Sequence, residues 1–192
     1  MQIIVRRSWL LLIFGNLLFV VGACQPQSTS PSGSPPATPF KPTASIQEIM
    51  ASIVDPAADT LWDSVGTTVN AKGAEDRQPR TEEEWQQVRR SAITLIESTN
   101  LLMMDGRRIV AVGGKLADEG LPGVLNANEA QQRLDAQHPA FVQFARALHD
   151  VGEEMLQAVD AKNSTAMVDV GSKIDEVCES CHTTFWYPTA AR

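Results

Sequence analysis

The feature that most constrains this fold is the spacing of apolar residues, which recur every three to four positions over most of the chain after residue 44. This is the period of an α-helix with one apolar face. It is found in four segments, residues 46–65, 82–103, 127–161 and 164–181. No segment shows the period of two that a half-buried strand requires. The sequence therefore predicts an all-α fold, and four amphipathic helices of this length favour an antiparallel four-helix bundle.

Two local signals mark the first half of this region. Asp55-Pro56 interrupts the first segment. Because proline cannot donate a backbone hydrogen bond, we expect a kink or a restart there, with Asp55 as the N-cap and Pro56 in the first turn. Thr81 and Glu84 match a capping box, in which each side chain accepts a hydrogen bond from the other residue's free amide. A second helix is therefore predicted to begin directly after Thr81.

Similar local signals predict the helix boundaries in the second half of this region. Residues 106–125 are rich in glycine and are predicted to be a long connection. Pro139 is expected to divide the third helical segment, and Asn163-Ser164 is expected to form a turn and the N-cap of the last helix.

The first 23 residues have the composition of a secretory signal. Residues 1–7 form a short basic stretch, and residues 8–21 are mostly apolar. This apolar run is shorter than the ~20 residues that a membrane-spanning helix needs. It ends in Val21-Gly22-Ala23-Cys24, which resembles the lipobox of bacterial lipoproteins. Residues 1–23 are thus predicted to be a lipoprotein signal peptide and Cys24 the lipidation site; the alternative is an ordinary cleaved signal followed by a free cysteine.

Residues 24–43 are rich in proline and serine and have little apolar content, so they are predicted to be a disordered, lipidated tether. Lipidation of Cys24 would place the folded domain, residues 44–192, on the periplasmic side of a bacterial membrane. Whether that membrane is the inner or the outer one stays open.

The charge of the chain excludes some functions. Beyond residue 23 there are 14 basic and 23 acidic residues, a net charge of −9 with histidine neutral. A protein this acidic is repelled by nucleic acid. The sequence also contains no Gly-rich phosphate loop and no nucleophile-elbow pattern. We therefore predict neither nucleic-acid binding nor enzymatic activity.

The clearest chemical signal is Cys178-Glu179-Ser180-Cys181-His182, the C-x-x-C-H pattern of c-type haem attachment. On a helix, positions i, i+3 and i+4 share one face, so both thiols and the imidazole can reach one flat ligand. The pattern predicts one covalent haem c, bound through Cys178 and Cys181, with His182 as the iron ligand. The alternatives are a structural disulfide, a redox-active dithiol, or a zinc site that would recruit His138 or His149.

With this motif on its predicted final helix, the chain resembles the class II cytochromes c, the cytochrome c′ superfamily. The resemblance covers about residues 44–187. Besides the motif, it rests on Glu48-Ile49-Met50 in the first helix and on Pro56 and Trp62 downstream. It implies a four-helix bundle with haem on the C-terminal helix, and a homodimer of two bundles is common among the relatives.

The resemblance also raises the question of the sixth iron ligand. In six-coordinate members a methionine near the start of the first helix binds the iron, which makes Met50 the candidate here. The competing interpretation is that Met50 only packs in the core, the role expected for four other methionines. Those are Met103, Met104, Met155 and Met167. His149 is a lower-ranked rival ligand.

Two arginines typical of cytochromes c′ are missing. The residue four positions after the histidine is Trp186 instead of arginine, and the first helix has no basic residue. Substitute contacts to the haem propionates would have to come from elsewhere, and four arginines are candidates. These are Arg89, Arg90, Arg107 and Arg108. Trp186 and Tyr187 follow the histidine within about one turn and are expected to lie close to the porphyrin edge.

Together these features predict a membrane-anchored, periplasmic monohaem cytochrome that transfers single electrons between redox protein partners. Methionine ligation stabilises ferrous iron, which suits electron transfer. The alternative is a five-coordinate module that binds NO or CO at an open iron.

Overall fold

Helices make up most of residues 40–188, the residues that the computed structural model describes. In chain order they are α1 (Ile46–Ile49), α2 (Asp55–Ser64), α3 (Glu82–Leu102), α4 (Ala127–Ala136), α5 (His138–Asp160) and α6 (Ser164–Phe185). A π-helical turn, Met50–Val54, joins α1 to α2. Two short strands, β1 (Gly66–Asn70) and β2 (Gly73–Arg77), lie between α2 and α3. These residues therefore form a mostly helical fold with a small sheet.

The first helical segment does not restart at Asp55 as predicted. Asp55 has helical dihedral angles, and its amide donates a hydrogen bond to the carbonyl of Met50, five residues earlier, so Asp55 is no N-cap. The helix accommodates Pro56 by widening into a π turn, because the proline ring would otherwise press on the carbonyl four residues back. The expectation that Pro56 lies in the first turn of α2 is confirmed.

The capping prediction for α3 is confirmed. The Thr81 hydroxyl accepts a hydrogen bond from the Glu84 amide, and the Glu84 carboxylate accepts one from the Thr81 amide. An equivalent box, formed by Ser45 and Glu48, begins α1. Both boxes are local arrangements three residues apart, which is why a sequence pattern can reveal them.

The predicted breaks in the second half are also confirmed. α4 ends at Ala136, and α5 begins at His138 with Pro139 in its first turn. The Asn163 side chain caps α6 by accepting a hydrogen bond of 3.0 Å from the Ala166 amide. Residues 103–126 connect α3 to α4 without a helix or strand.

The prediction of an all-α chain without strands is wrong for residues 66–77. β1 and β2 pair antiparallel, with Thr67 opposite Asp76, and the Thr67 hydroxyl donates a hydrogen bond of 2.8 Å to the Asp76 carboxylate. Almost every side chain of the hairpin is exposed. A strand that buries neither face needs no alternation of apolar and polar residues, so the period-two test could not detect it.

The long helices pack side by side in a closed order. α3 contacts α5, α5 contacts α6, and α2 contacts both α3 and α6. Ion pairs between Arg89 and Asp160 (2.7 Å) and between Lys162 and Glu82 (2.5 Å) join the first half of α3 to the last residue of α5 and the turn that follows it. The core between these helices is apolar, and its largest fully buried side chains include two of the methionines expected there. These side chains are Ile49, Leu61, Leu95, Met155, Met167 and Ile174.

The predicted signal peptide (residues 1–23), Cys24 and residues 25–39 of the predicted tether lie outside the described residues. Residues 40–43, the last part of the predicted tether, carry no helix or strand. Within residues 40–188, none of the helices has both the length and the hydropathy to cross a membrane.

Candidate functional site

The C-x-x-C-H motif lies in the last two turns of α6, and its two cysteines and its histidine are partly buried. Cys181 and His182 line two neighbouring cavities, and Cys178 lines the smaller one. The thiols and the imidazole therefore face the same interior region, as the helical spacing predicts. Neither cysteine is in a disulfide.

The two cavities share one set of walls. The larger has a volume of about 160 Å³ and lies between α1, the α3–α4 connection and the end of α6. The smaller has a volume of about 30 Å³ and lies between the π turn, α5 and α6. Both are lined mainly by apolar side chains, and five residues line both: Met50, Asp55, Phe141, Cys181 and His182.

The donor set fits a covalently attached haem, because two thiols and an imidazole meet an apolar interior. The volumes are less favourable, since a typical cofactor site measures ~300–1,000 Å³. A porphyrin would need more room, so side chains that line both cavities would have to move to admit it. Met50 and Phe141 are the large apolar side chains among them.

Of the methionines in the described residues, Met50 alone lines these cavities. It begins the π turn and is partly buried. Met155 and Met167 are fully buried in the core, and Met103 and Met104 lie beside a different cavity near Phe40. The fold thus brings the predicted sixth ligand to the same cavities as His182. His149 lies away from them, beside Asp150.

Trp186 and Tyr187 pack around His182, but only one of them reaches a cavity. The Trp186 ring lies edge-on to the His182 imidazole, with ring centres 5.2 Å apart, and it lines the larger cavity. The Tyr187 ring lies 6.0 Å from the imidazole and lines neither cavity. Its hydroxyl instead donates a hydrogen bond of 2.7 Å to the Glu179 carboxylate.

Burial controls the protonation of the motif. Loss of solvent raises the pKa of Cys178 to about 11 and that of Cys181 to about 12. It lowers the pKa of His182, although the carboxylates of Asp55 and Glu179 act in the opposite direction. At neutral pH both thiols are protonated and the imidazole is neutral, with a lone pair free to bind a metal. Reactive dithiols have depressed pKa values, so this environment disfavours the redox-active alternative.

Sequence reasoning missed Asp55 as a site residue by assigning it to a helix cap. Asp55 lines both cavities, and burial raises the pKa of its carboxyl while the neighbouring His182 acts to lower it. The wall contributed by the α3–α4 connection was also missed. The available signal was the presence of apolar residues in a glycine-rich segment, namely the run of residues 109–112 and Leu116. Ile109 and Leu116 are both buried.

None of the arginines considered as propionate contacts lines either cavity. Arg107 is buried, and its guanidinium donates to the backbone carbonyls of Ala44 and Leu101 and to the Met104 sulfur. Arg89 is paired with Asp160. These two side chains therefore have structural roles in the fold.

Comparison of the chain with protein-family profiles, with curated proteins and with solved structures finds no significant match. The assignment of a function therefore rests on the chain's own residues and their arrangement.

Proposed function

We propose that this chain is a monohaem c-type cytochrome of class II type, built on an antiparallel four-helix bundle. The first bundle helix would be α1 and α2 joined by the π turn, and the others would be α3, α5 and α6. The closed packing order and the ion pairs between opposite ends of α3 and α5 support this arrangement. The observation that carries the proposal is the convergence of Cys181, His182 and Met50 on the same cavities.

Each of these residues has a distinct role in this proposal. The thiols of Cys178 and Cys181 would each add across a vinyl group, forming a carbon–sulfur bond while the thiol hydrogen goes to the neighbouring carbon. The neutral His182 imidazole would bind the iron through a ring nitrogen, and Met50 would bind it through its thioether sulfur. Bound haem would supply an iron that accepts and releases one electron. The apolar walls would exclude water and so favour the less charged, reduced state.

The proposal places the domain on the periplasmic side of a membrane, anchored through Cys24. The excess of acidic side chains supports the proposal that its redox partner binds it through a basic surface. The described residues contain 23 acidic and 13 basic side chains. Electrostatic attraction of this kind speeds encounter at low ionic strength and is screened by salt. Electron transfer to such a partner is therefore expected to slow as salt is added.

The test is to express the full chain in a bacterium that matures c-type cytochromes, and to examine the purified protein on a denaturing gel stained for haem. We expect covalent haem in the wild type and none in the Cys178→Ala/Cys181→Ala variant. Absence of covalent haem from the wild type would overturn the proposal.

The axial ligand is tested on the same preparation. We expect the reduced wild-type protein to have a low-spin spectrum and to bind CO slowly. The reduced Met50→Leu variant should lose the low-spin spectrum and bind CO rapidly. Met103→Leu is the matched control, because Met103 lies outside both cavities. A wild-type protein that already binds CO rapidly would exclude methionine ligation and favour the gas-binding alternative.

A further inference from the structure

The α3–α4 connection, residues 103–126, forms one wall of the larger cavity. Ile109, Leu116 and Ala117 contribute this wall. Ile109 and Leu116 are buried, although the segment contains no helix or strand. An irregular segment needs side-chain or backbone partners to hold its apolar residues inward, because it has no regular hydrogen-bonding pattern of its own.

The beginning of α1 provides the first set of partners. The amides of Ile46 and Gln47 donate hydrogen bonds of 2.8 Å and 2.9 Å to the carbonyls of Arg108 and Ile109. These amides belong to a helix N-terminus, where no carbonyl within the helix is available to them. The Gln47 side chain adds two contacts, donating to the Lys115 carbonyl (3.2 Å) and accepting from the Ala117 amide (2.6 Å).

The residue after α6 provides the second set. The Trp186 indole nitrogen donates a hydrogen bond of 2.9 Å to the Ala117 carbonyl. The Trp186 carbonyl accepts one of 2.9 Å from the Leu125 amide. Ala117 is thus held by Gln47 through its amide and by Trp186 through its carbonyl. The same Trp186 ring faces His182 and lines the cavity.

From this geometry we infer that Gln47 and Trp186 are positioning residues that hold the connection closed over the haem site. The inference rests on the function proposed above. A closed connection keeps water away from one side of the cofactor, and the polarity and solvent access around a metal help set its reduction potential. Opening the connection should therefore lower the potential and speed the entry of small ligands.

The test uses two variants in the haem-loaded, full-length protein. Trp186→Phe keeps an aromatic ring in the wall and removes the indole donor. Gln47→Leu keeps a side chain of comparable volume and removes both side-chain hydrogen bonds. Trp62→Phe is the matched control, because the Trp62 indole donates a comparable 3.0 Å bond to the Gly171 carbonyl. Amide hydrogen exchange of residues 109–125, the reduction potential and the rate of CO binding are measured for each variant.

We expect exchange in the connection to accelerate about fivefold in Trp186→Phe and about thirtyfold in Gln47→Leu, as the typical net value of one and two hydrogen bonds implies. The potential should fall and CO should bind faster in both variants, with little change in Trp62→Phe. If amide exchange in the connection is no faster in Trp186→Phe and Gln47→Leu than in Trp62→Phe, the positioning role of Gln47 and Trp186 is refuted. Faster exchange with an unchanged potential and CO rate would refute the role of the connection as a wall of the haem site.

These results separate the inference from the proposed function. If the exported chain carries no haem, the proposed function fails, and with it the statement about a haem wall. Exchange in the haem-free chain would still decide whether Gln47 and Trp186 hold the connection closed.

Discussion

Replacing Gly152 with alanine is expected to lower the free energy of unfolding by about 1 kcal/mol, the balance of two opposing effects. Gly152 lies in α5, and a Cβ atom placed on it would lie 2.9 Å from Cγ1 of Ile96 in α3. Glycine to alanine in a helix interior normally stabilises by about 1 kcal/mol. Overfilling a packed core costs about 1–3 kcal/mol. Because Ile96 is only 7% exposed, it has little room to move aside, and the packing cost should exceed the gain.

A double-mutant cycle tests this reasoning by urea denaturation of the wild type, Gly152→Ala, Ile96→Ala and the double variant. Ile96→Ala alone should cost about 2–5 kcal/mol through the cavity it leaves. With the Ile96 side chain gone, the same glycine substitution should become stabilising by about 1 kcal/mol. The coupling free energy would then be about 2 kcal/mol. A substitution that destabilises equally in both backgrounds would show that close packing of α3 and α5 at this point is not the cause.

Three further predictions concern the described helices and their connections. Thr81→Ala should destabilise by about 1 kcal/mol in a denaturant titration, because an amide at the start of α3 loses its acceptor. Hydrogen bonds from the amides of Arg80 and Thr81 lower the pKa of Glu84. The stabilising contribution of the Glu84 carboxylate is therefore complete above its ordinary pKa of 4.5, and it is lost as pH falls through the lower pKa of the folded state. The free energy of unfolding of Glu84→Gln should therefore decline less in acid than that of the wild type. Arg107→Met should destabilise by about 2–3 kcal/mol in thermal melts, because two backbone carbonyls lose a charged donor. A change within error for any of these would refute the contact assigned to it.

The local signals in the sequence predicted where several helices begin. The Thr81 capping box, the break before Pro139 and the Asn163 cap are all present as expected. Each depends on atoms within a few residues of one another, so its energy is nearly independent of the rest of the fold. The response of the backbone to Pro56 was not predictable in the same way. A new helix start and a π turn both avoid the clash of the proline ring with the preceding turn, and the packing of the surrounding helices selects between them.

Two longer features were missed in whole or in part by the sequence analysis. The hairpin at residues 66–77 is exposed on both faces and so lacks a burial pattern. The α3–α4 connection was recognised as irregular, but its position over the larger cavity depends on Gln47 and Trp186, which lie 70 and 69 residues from Ala117 along the chain. A pattern read along the chain contains no information on contacts at such separations.

The sequence by itself determined that Cys178, Cys181 and His182 share a helix face, because the period of the α-helix sets the directions of residues three and four apart. It also named Met50 as the candidate partner for His182 and assigned the other methionines to the core, but it could not show which side chains share a cavity with His182. The tertiary structure decided that Met50 reaches the cavities of His182 while Met155 and Met167 are enclosed in the core. That choice depends on how helices distant in the chain pack together, because burial of apolar surface, rather than spacing along one helix, brings their side chains into contact.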